Sequence, residues 1–290
     1  MYKLIAIDLD GTLLNSYGEI SNENKNAIKK AIDKGINVVI ASGRMSDSVK
    51  NLSMEIGADK YIISGNGAVI YYLPNNEIIY NKFIENKKAI QIIDICEQNS
   101  IYYSVYTEDS IIAKNLNYNV LVFNRENINK PEDKQTKIKI VENIKKYFED
   151  NKDEKIIKVN ICDDSKIIFG RITEKLERVK NINVLEVEHM SRKLIRSGNQ
   201  EIPIEYYYTE ISSKNVDKWE AIKFLMEKLD IKQEEVMTIG DNMNDKNMIL
   251  NAGLGIAMGK SALAAQKIGK HIVSDNNLNG VAEAIEKFAL

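Results

Sequence analysis

Short apolar segments alternate with helical segments at both ends of the chain, and this alternation constrains the fold most strongly. At the N-terminal end, KLIAID (3–8), NVVIAS (37–42) and KYIIS (60–64) are continuous apolar runs. Such runs are typical of strands buried on both faces, as in a parallel sheet covered by helices. The first intervening segment has helical spacing, with Ser21 as its N-cap and Gly35 after its end. The sequence therefore predicts an α/β fold with a parallel sheet.

The same order returns near the C-terminal end, whereas the middle of the chain differs. EVMTIG (235–240) and LGIAM (254–258) are again continuous apolar runs separated by helical patterns. The middle contains a predicted hairpin (68–82), then strands and helices in mixed order, including a predicted helix at 137–150. We therefore expect one discontinuous α/β core that is interrupted by an α+β insertion. The predicted core is 1–82 with 201–290, and the predicted insertion is 83–200.

Charge and hydropathy argue against several classes of protein. The 290 residues include 40 basic and 42 acidic side chains, and the formal net charge of −2 argues against nucleic-acid or membrane-surface binding. No apolar run approaches the roughly 20 residues that cross a bilayer. The first strand begins at residue 3, which leaves no room for a signal peptide, so we expect a cytoplasmic protein.

Cysteine and histidine are scarce, and this limits the available chemistry. Cys96 and Cys162 are far apart and lie in apolar patterns, so we expect reduced core residues rather than a disulfide or a nucleophile. The two histidines, His189 and His271, are too few for a His-rich zinc cluster and argue against a His-dependent triad. Any catalysis is expected to use carboxylates, lysine, hydroxyls and a hard metal.

Two aspartates follow the first predicted strand directly, in IDLDGTLL. Asp8 and Asp10 lie at the carboxyl end of the strand, where parallel α/β sheets bind their ligands. Gly11 and Thr12 permit a tight turn and add a hydroxyl group. A strand that ends in ordinary turn residues explains the same letters, so the residues alone leave both interpretations open.

A second group of carboxylates follows a strand of the C-terminal part, in TIGDNMNDKNM. Asp241 lies at the strand end and Asp245 near the first turn of the next helix, with Asn242 and Asn244 between them. Oxygen ligands from two strand ends suit Mg²⁺, which binds one or two carboxylates together with waters and phosphate oxygens. The alternative for Asp245 is a negative charge that complements the helix dipole.

Two further signals are weak when each is taken alone. In ASGR (41–44), Ser42 and the amide of Gly43 could hold an anion, although both residues are common in turns. Lys218 lies just inside a predicted helix start, where the dipole favours an acid, so a solvated lysine is the alternative. The order of all four segments along the chain is more informative than any one of them.

The four segments together resemble the motifs of the haloacid dehalogenase superfamily of phosphohydrolases. They are DLDGT after the first strand, ASGR after the second strand, a later lysine at a helix start, and GDNMND. The long insertion, and ISGNGAVIYY before the hairpin, resemble its Cof-type subfamily with a C2-class cap. The resemblance covers nearly the whole chain. It implies a Rossmann-like core with a parallel sheet and an inserted α+β cap domain that closes over the site.

The resemblance also implies a role for each matched residue. Asp8 would be the nucleophile that forms an aspartyl-phosphate, and Asp10 would be the general acid and base. Mg²⁺ would be bound by Asp8, the backbone carbonyl of Asp10 and Asp241, with Asp245 supporting these ligands. The implied phosphate and substrate contacts are Leu9, Ser42, Gly43, Lys218 and Asn244.

The function expected from the resemblance is a Mg²⁺-dependent phosphatase that hydrolyses small phosphorylated metabolites, such as sugar phosphates. The expected partner is thus a small phosphorylated substrate, without nucleic acid or membrane, and the expected state is a monomer or weak homodimer. A phosphomutase on the same fold is one alternative. A regulatory protein that binds phosphometabolites without turnover is another.

Overall fold

Strands and helices alternate along the chain in the computed structural model, which describes residues 1–128, 130–132, 135–185, 191–197, 200–261 and 263–290. The strands are β1 (Leu4–Ile7), β2 (Asn37–Ala41), β3 (Tyr61–Ser64), β4 (Val69–Tyr72), β5 (Glu77–Asn81), β6 (Tyr102–Thr107), β7 (Ile111–Ala113), β8 (Ile138–Ile140), β9 (Ile156–Asp163), β10 (Ile182–Val184), β11 (Ser191–Ser197), β12 (Gln200–Ser213), β13 (Val236–Gly240), β14 (Leu254–Met258) and β15 (His271–Val273). The helices are α1 (Asn22–Asp33), α2 (Ser46–Glu55), α3 (Asn86–Gln98), α4 (Tyr118–Asn127), α5 (Ile144–Asp150), α6 (Lys166–Glu177), α7 (Lys218–Leu229), α8 (Lys246–Asn251), α9 (Leu263–Ile268) and α10 (Gly280–Phe288).

The chain divides into two units. The core unit combines Met1–Asn81 with Val216–Leu290, and the inserted unit is Lys82–Asn215. The second boundary therefore lies after residue 215 rather than at the predicted 200/201. The reason is that β12 continues to residue 213 and pairs with β9 and β10, so the whole strand belongs to the sheet of the inserted unit.

One sheet organises the core unit, with the strand order β15-β14-β13-β1-β2-β3-β4-β5. The strands from β15 to β3 pair in parallel, and β4 and β5 add an antiparallel hairpin at one edge. The predicted α/β class, its parallel sheet and the hairpin are confirmed. Every residue of β1 and β13 is buried, which explains why their sequences are continuous apolar runs.

Side-chain caps fix the starts of two helices in the core unit. Ser21 Oγ accepts a hydrogen bond from Asn24 N at 3.2 Å, and the Asp217 carboxylate accepts one from Trp219 N at 2.8 Å. Each cap of this kind increases the free energy of unfolding by about 1 kcal/mol. Because Asp217 is the N-cap of α7, Lys218 becomes the first residue of that helix.

The strands β1, β2 and β13 end at the same edge of the core sheet. Ile7 at the end of β1 is paired with Ile40 in β2 and with Ile239 in β13. Since all three strands run in parallel, the segments that follow them leave the sheet together. Those segments are 8–12, 42–44 and 241–245, and the strand next to β2 adds 65–67.

The inserted unit has its own sheet, with the order β10-β12-β9-β6-β7-β8 and with β11 paired to β12. One face is apolar and packs against α3, α5 and α6, through side chains such as Ile92, Phe148 and Ile172. The other face carries Ser104 of β6 opposite Asn160 of β9, both buried. Among the described residues, Asn160 Oδ1 has no hydrogen-bond partner.

Two predictions for the inserted unit need correction or lie outside the described chain. The segment 137–150 is not one helix, because Ile138–Ile140 forms β8 and only Ile144–Asp150 is helical. Parallel pairing of β8 with β7 overrides the local helical spacing there. The predicted strand near 183–188 begins as β10, and its later residues, like His189, lie outside the described residues.

Two expectations from composition can be compared with the structure. Cys96 and Cys162 are free and buried, as predicted. Burial raises the pKa of both thiols well above its ordinary value, so neither has the character of a nucleophile.

Within the described part of the chain, no helix combines the length and apolar character that a membrane span requires.

Candidate active site

Asp8 belongs to a buried group of charged side chains beyond the end of β1. Lys218 Nζ donates hydrogen bonds to Asp8 Oδ1 at 2.5 Å and to Asp245 Oδ1 at 2.6 Å. Carboxylate oxygens of Asp8, Asp241 and Asp245 lie within 4.8 Å of one another. The structure therefore brings together four residues that the sequence places in three separate segments.

Lys218 is buried rather than solvated, although it occupies a helix N-terminus. Its exposed fraction is 0%, and both burial and the helix dipole oppose a positive charge there. Burial alone would lower the pKa of Lys218, but the carboxylates of Asp245 and Asp8 raise it above its ordinary value. The lysine therefore stays charged, and its charge compensates carboxylates that would otherwise be buried without a partner.

The carboxylates carry more negative charge than Lys218 neutralises. Burial, and then the neighbouring charge of Asp245, raise the pKa of Asp8 well above its ordinary value, against the opposing effect of Lys218. The same two causes raise the pKa of Asp241 to about 6. Like charges this close resist simultaneous ionisation. An additional cation would relieve that repulsion.

Asp245 supports both the lysine and the loop after β13. Its Oδ2 accepts hydrogen bonds from the backbone N of Asp241 at 3.0 Å and of Asn242 at 3.1 Å. It directly precedes α8, so the alternative of a helix-start acid also describes it. Because both of its oxygens already accept hydrogen bonds, Asp8 and Asp241 are better placed than Asp245 to bind a metal directly.

Gly11 and Thr12 bring the loop after β1 against Asp241. Thr12 Oγ1 donates a hydrogen bond to Asp241 Oδ1 at 3.0 Å. Gly11 has a φ of +83°, and a Cβ at this position would collide with the Asp241 carboxylate. The glycine is therefore required for the left-handed backbone and for the close approach of the two segments. The tight turn therefore brings residues 11–12 against Asp241.

The acidic cluster fits a divalent metal ion by its donor chemistry. Asp8, Asp241 and Asp245 offer carboxylate oxygens, which are the donors that hard divalent cations prefer. Burial first, and then the neighbouring charge of Asp245, raise the pKa values of Asp8 and Asp241, and a divalent cation held here would oppose both effects. Within the described residues, this cluster is the group that could hold a metal ion.

Asp10 lies outside the buried cluster, although only one residue separates it from Asp8. Its side chain is 61% exposed and accepts two hydrogen bonds from Arg44, from Nη2 to Oδ1 at 2.6 Å and from Nε to Oδ2 at 2.9 Å. Sequence spacing treats the two aspartates alike, whereas the structure gives them different partners. Arg44 was missed as a site residue, and its place in ASGR is the signal that could have found it.

The loops after β2, β3 and β13 are joined through Asn66. Its backbone N donates to the carbonyl of the buried Ser42 at 2.9 Å, and its Oδ1 accepts from Asn244 Nδ2 at 3.0 Å. Gly43 lies beside the Asn66 side chain, where a Cβ would have no room. Sequence reasoning also missed Asn66, although it lies in ISGNGAVIYY, the segment that resembles the Cof-type subfamily. It holds the predicted contacts Ser42, Gly43 and Asn244 in one arrangement.

Leu9 differs from the other predicted contacts because its side chain is completely buried. Its carbonyl accepts hydrogen bonds from the amides of Thr12 and Leu14 inside the turn. A ligand contact from Leu9 would therefore have to use its backbone amide.

Comparison with known proteins identifies the family of the chain. The sequence model of the haloacid dehalogenase-like hydrolases matches residues 5–285. Phosphatase YwpJ of Bacillus subtilis (strain 168) is 31% identical over 299 residues, covering 98% of this chain and 99% of the relative. The 5-amino-6-(5-phospho-D-ribitylamino)uracil phosphatase YcsE of the same organism is 28% identical over 288 residues, covering 99% and 96%. A solved haloacid dehalogenase-like hydrolase from B. subtilis has a TM-score of 0.79 and 28% identity, covering 99% of this chain and all of its own (100%).

The chain belongs to the haloacid dehalogenase-like hydrolase family. The resemblance inferred from the four motifs is confirmed, and so is the expectation that the protein is an enzyme of this class. The match extends across the inserted unit as well as the core unit.

Proposed function

We propose that the protein is a Mg²⁺-dependent phosphatase that hydrolyses small phosphorylated metabolites, such as sugar phosphates, through an aspartyl-phosphate intermediate. The observation that supports this most directly is the buried Asp8 carboxylate, held by Lys218 inside a cluster of three carboxylates. Family membership supports it as well, since relatives across the full length are named as phosphatases.

Asp8 is the proposed nucleophile. One of its carboxylate oxygens attacks the phosphorus atom, a new Oδ–P bond forms, and the bond from phosphorus to the leaving oxygen breaks. Lys218 is within hydrogen-bond distance of Asp8, so its ammonium group can neutralise charge on the transferring phosphoryl group. Ser42 and the amide of Gly43 are the proposed contacts to the other phosphoryl oxygens.

Asp10 is the proposed general acid and base. It donates a proton to the leaving oxygen in the first step, and in the second step it accepts a proton from the attacking water. The water oxygen bonds to phosphorus and the Oδ–P bond breaks, which releases inorganic phosphate and restores Asp8. Asn244 and the amide of Leu9 are proposed as further contacts to substrate or phosphate.

The proposed ligands of Mg²⁺ are the carboxylate of Asp8, the carboxylate of Asp241 and the backbone carbonyl of Asp10. Asp245 supports these ligands. The ion would supply positive charge that offsets the repulsion between the Asp8 carboxylate and the phosphate. Hard oxygen donors favour Mg²⁺ over softer metals. Mg²⁺ is therefore the proposed cofactor.

The substrate class is proposed from the relatives. YcsE is named for a small compound with a phosphorylated ribityl chain, and the present chain is similar to it over almost its full length. The inserted unit is proposed to select the leaving group, as a cap domain would. The cytoplasmic location and the monomeric or weakly dimeric state stay predictions from the sequence.

Asp8→Asn tests this proposal because it removes the nucleophile and changes little else in size. We expect wild-type protein to release inorganic phosphate from p-nitrophenyl phosphate and from members of a panel of sugar phosphates and phosphorylated cofactors. Asp8→Asn should lower kcat/KM by at least about 10³-fold. Asp47→Asn is the matched control, since Asp47 has a 68% exposed side chain, and it should keep wild-type turnover.

Metal dependence is tested by chelation and by adding Mg²⁺ back. Chelation should abolish turnover, and Mg²⁺ should restore it. Unchanged turnover in Asp8→Asn, or in chelated protein, would contradict the mechanism. Isomerised product without free phosphate would identify a phosphomutase, and no turnover of any compound would favour the regulatory alternative.

A further inference from the structure

Arg44 holds the Asp10 carboxylate in a fork of two hydrogen bonds. The Nη2 and Nε atoms of Arg44 donate to the two different carboxylate oxygens, at 2.6 and 2.9 Å. Two parallel bonds of this kind fix the plane of a carboxylate as well as its distance. A single lysine ammonium cannot impose the same orientation.

Arg44 is itself fixed from three directions. Its Nη1 donates to Ser48 Oγ at 3.3 Å, and its backbone N donates to Ser42 Oγ at 3.2 Å. Its carbonyl accepts a hydrogen bond from Gly65 N at 3.0 Å, which ties the residue to the loop after β3. Arg44 is therefore held by α2 through its side chain and by the loops after β2 and β3 through its backbone.

The side chain of Asp10 is more exposed to solvent than that of Asp8. The Asp10 side chain is 61% exposed, whereas Asp8 is buried against Lys218. An exposed carboxylate can adopt several rotamers, and proton transfer requires one of them to be held within reach of the leaving oxygen. An exposed ion pair adds little to stability, so a structural purpose does not account for the Arg44 fork.

We propose that Arg44 is a positioning residue that orients Asp10 for proton transfer to the leaving group. This inference rests on the proposed function, because it assigns Arg44 an effect on the step in which Asp10 acts. It assigns no direct contact between Arg44 and the phosphoryl group. The arginine acts through Asp10.

Two substrates with different leaving groups test the inference. The p-nitrophenolate group of p-nitrophenyl phosphate departs without a proton, whereas the alkoxide of glycerol phosphate needs one. Single-turnover release of the alcohol measures the first step alone, so the later attack of water does not enter the result. Arg44→Met removes the fork, and Arg44→Lys keeps the charge without the two-bond geometry.

We expect Arg44→Met to slow single-turnover glycerol release by about 10- to 100-fold, a part of the roughly 10²- to 10⁴-fold that general acid catalysis contributes. The release of p-nitrophenolate should fall by less than about 3-fold, because its departure does not use the proton of Asp10. Arg44→Lys should resemble Arg44→Met. KM and inhibition by inorganic phosphate should change little in both variants.

A double-mutant cycle separates action through Asp10 from direct action. In an Asp10→Asn background, adding Arg44→Met should slow glycerol release by no more than about 2-fold, because the group that Arg44 orients is already lost. Lys30→Met is the matched control, since it removes an exposed ion pair with Glu286 at 3.1 Å, and it should behave as wild type. Thermal unfolding of each variant checks that the fold is kept.

Three results would overturn the inference. The first is an Arg44→Met variant that slows glycerol release and p-nitrophenolate release equally, and the second is a parallel rise of KM and of the inhibition constant of phosphate. The third is a variant in which Arg44→Met slows glycerol release as much in the Asp10→Asn background as in wild type. The first two would show that Arg44 binds the phosphoryl group. Absence of turnover in wild-type protein would instead refute the proposed function, and this inference with it, so the two failures are distinguishable.

Discussion

Burial of the Asp241 carboxylate, together with repulsion from neighbouring carboxylates, should destabilise the metal-free protein near neutral pH, and Asp241→Asn tests this. Burial and the charge of Asp245 raise the pKa of Asp241 from 3.8 to about 6. A difference of about two pKa units corresponds to about 3 kcal/mol between the protonation states. Asparagine keeps the size of the side chain and an oxygen that can accept the hydrogen bond from Thr12, while it removes the charge.

The pH dependence of this effect has a definite sign. The folded state binds the Asp241 proton more tightly than the unfolded state, so the free energy of unfolding of wild-type protein falls as the pH rises from about 4 to about 6. Above that range the loss is complete. Metal-free Asp241→Asn should therefore be more stable than wild type by up to about 3 kcal/mol at pH 8, and the difference should vanish near pH 4.

Urea unfolding followed by tryptophan fluorescence measures this difference. Trp219 is the single tryptophan of the chain and is buried in the core unit, so its signal reports the unit that contains the cluster. Asp47→Asn is again the control and should show no comparable pH dependence. Adding Mg²⁺ should stabilise wild type more than Asp241→Asn. A variant that is less stable than wild type at pH 8, or a difference that is the same at both pH values, would refute the reasoning.

Two further substitutions have expected effects of known direction. Gly11→Ala places a side chain in a left-handed backbone against the Asp241 carboxylate, so it should cost about 1–3 kcal/mol in urea unfolding and weaken Mg²⁺ binding in calorimetry; unchanged binding would contradict this. Lys218→Met leaves Asp8 and Asp245 without their shared cation, so it should cost about 3–5 kcal/mol at pH 8 and less at pH 5, and a pH-independent loss would count against it.

The location of the site could be predicted because it depends on strand direction. Continuous apolar runs indicate parallel strands, and the carboxyl ends of neighbouring parallel strands meet at one edge. The register of β1 with β13 then brings Asp8 and Asp241 together, although most of the chain separates them. The location of the site therefore follows from strand order and direction, without reference to side-chain conformation.

The directions of individual side chains could not be predicted in the same way. Beyond a strand end the period-two rule no longer applies, so nothing in DLDGT shows that Asp8 points inward and Asp10 outward. The link from Asn66 to Asn244 depends on a left-handed backbone at Asn66, with a φ of 57°, which only the folded loop reveals. Arg44 was overlooked for the same reason, because its role lies in where the side chain reaches.

The fold of the inserted unit was less predictable because long-range pairing decides it. β8 is a strand only because β7 is available beside it, and its own sequence KIKI suits helix and strand alike. The second boundary was misplaced because β12 is longer than its local pattern indicates. In both cases a partner distant in sequence overrides the local signal.

The position of β1 in the core sheet has a consequence for biosynthesis. β1 lies between β2 and β13, and β13 is made only after the whole inserted unit. A nascent chain therefore carries β1 with one unpaired edge, which is a template for wrong pairing, until residues 236–240 leave the ribosome. The inserted unit is continuous in sequence and its strands can meet during this interval. Asp8 meets Asp241 only when β13 pairs with β1, so the acidic cluster is completed only when the core sheet closes.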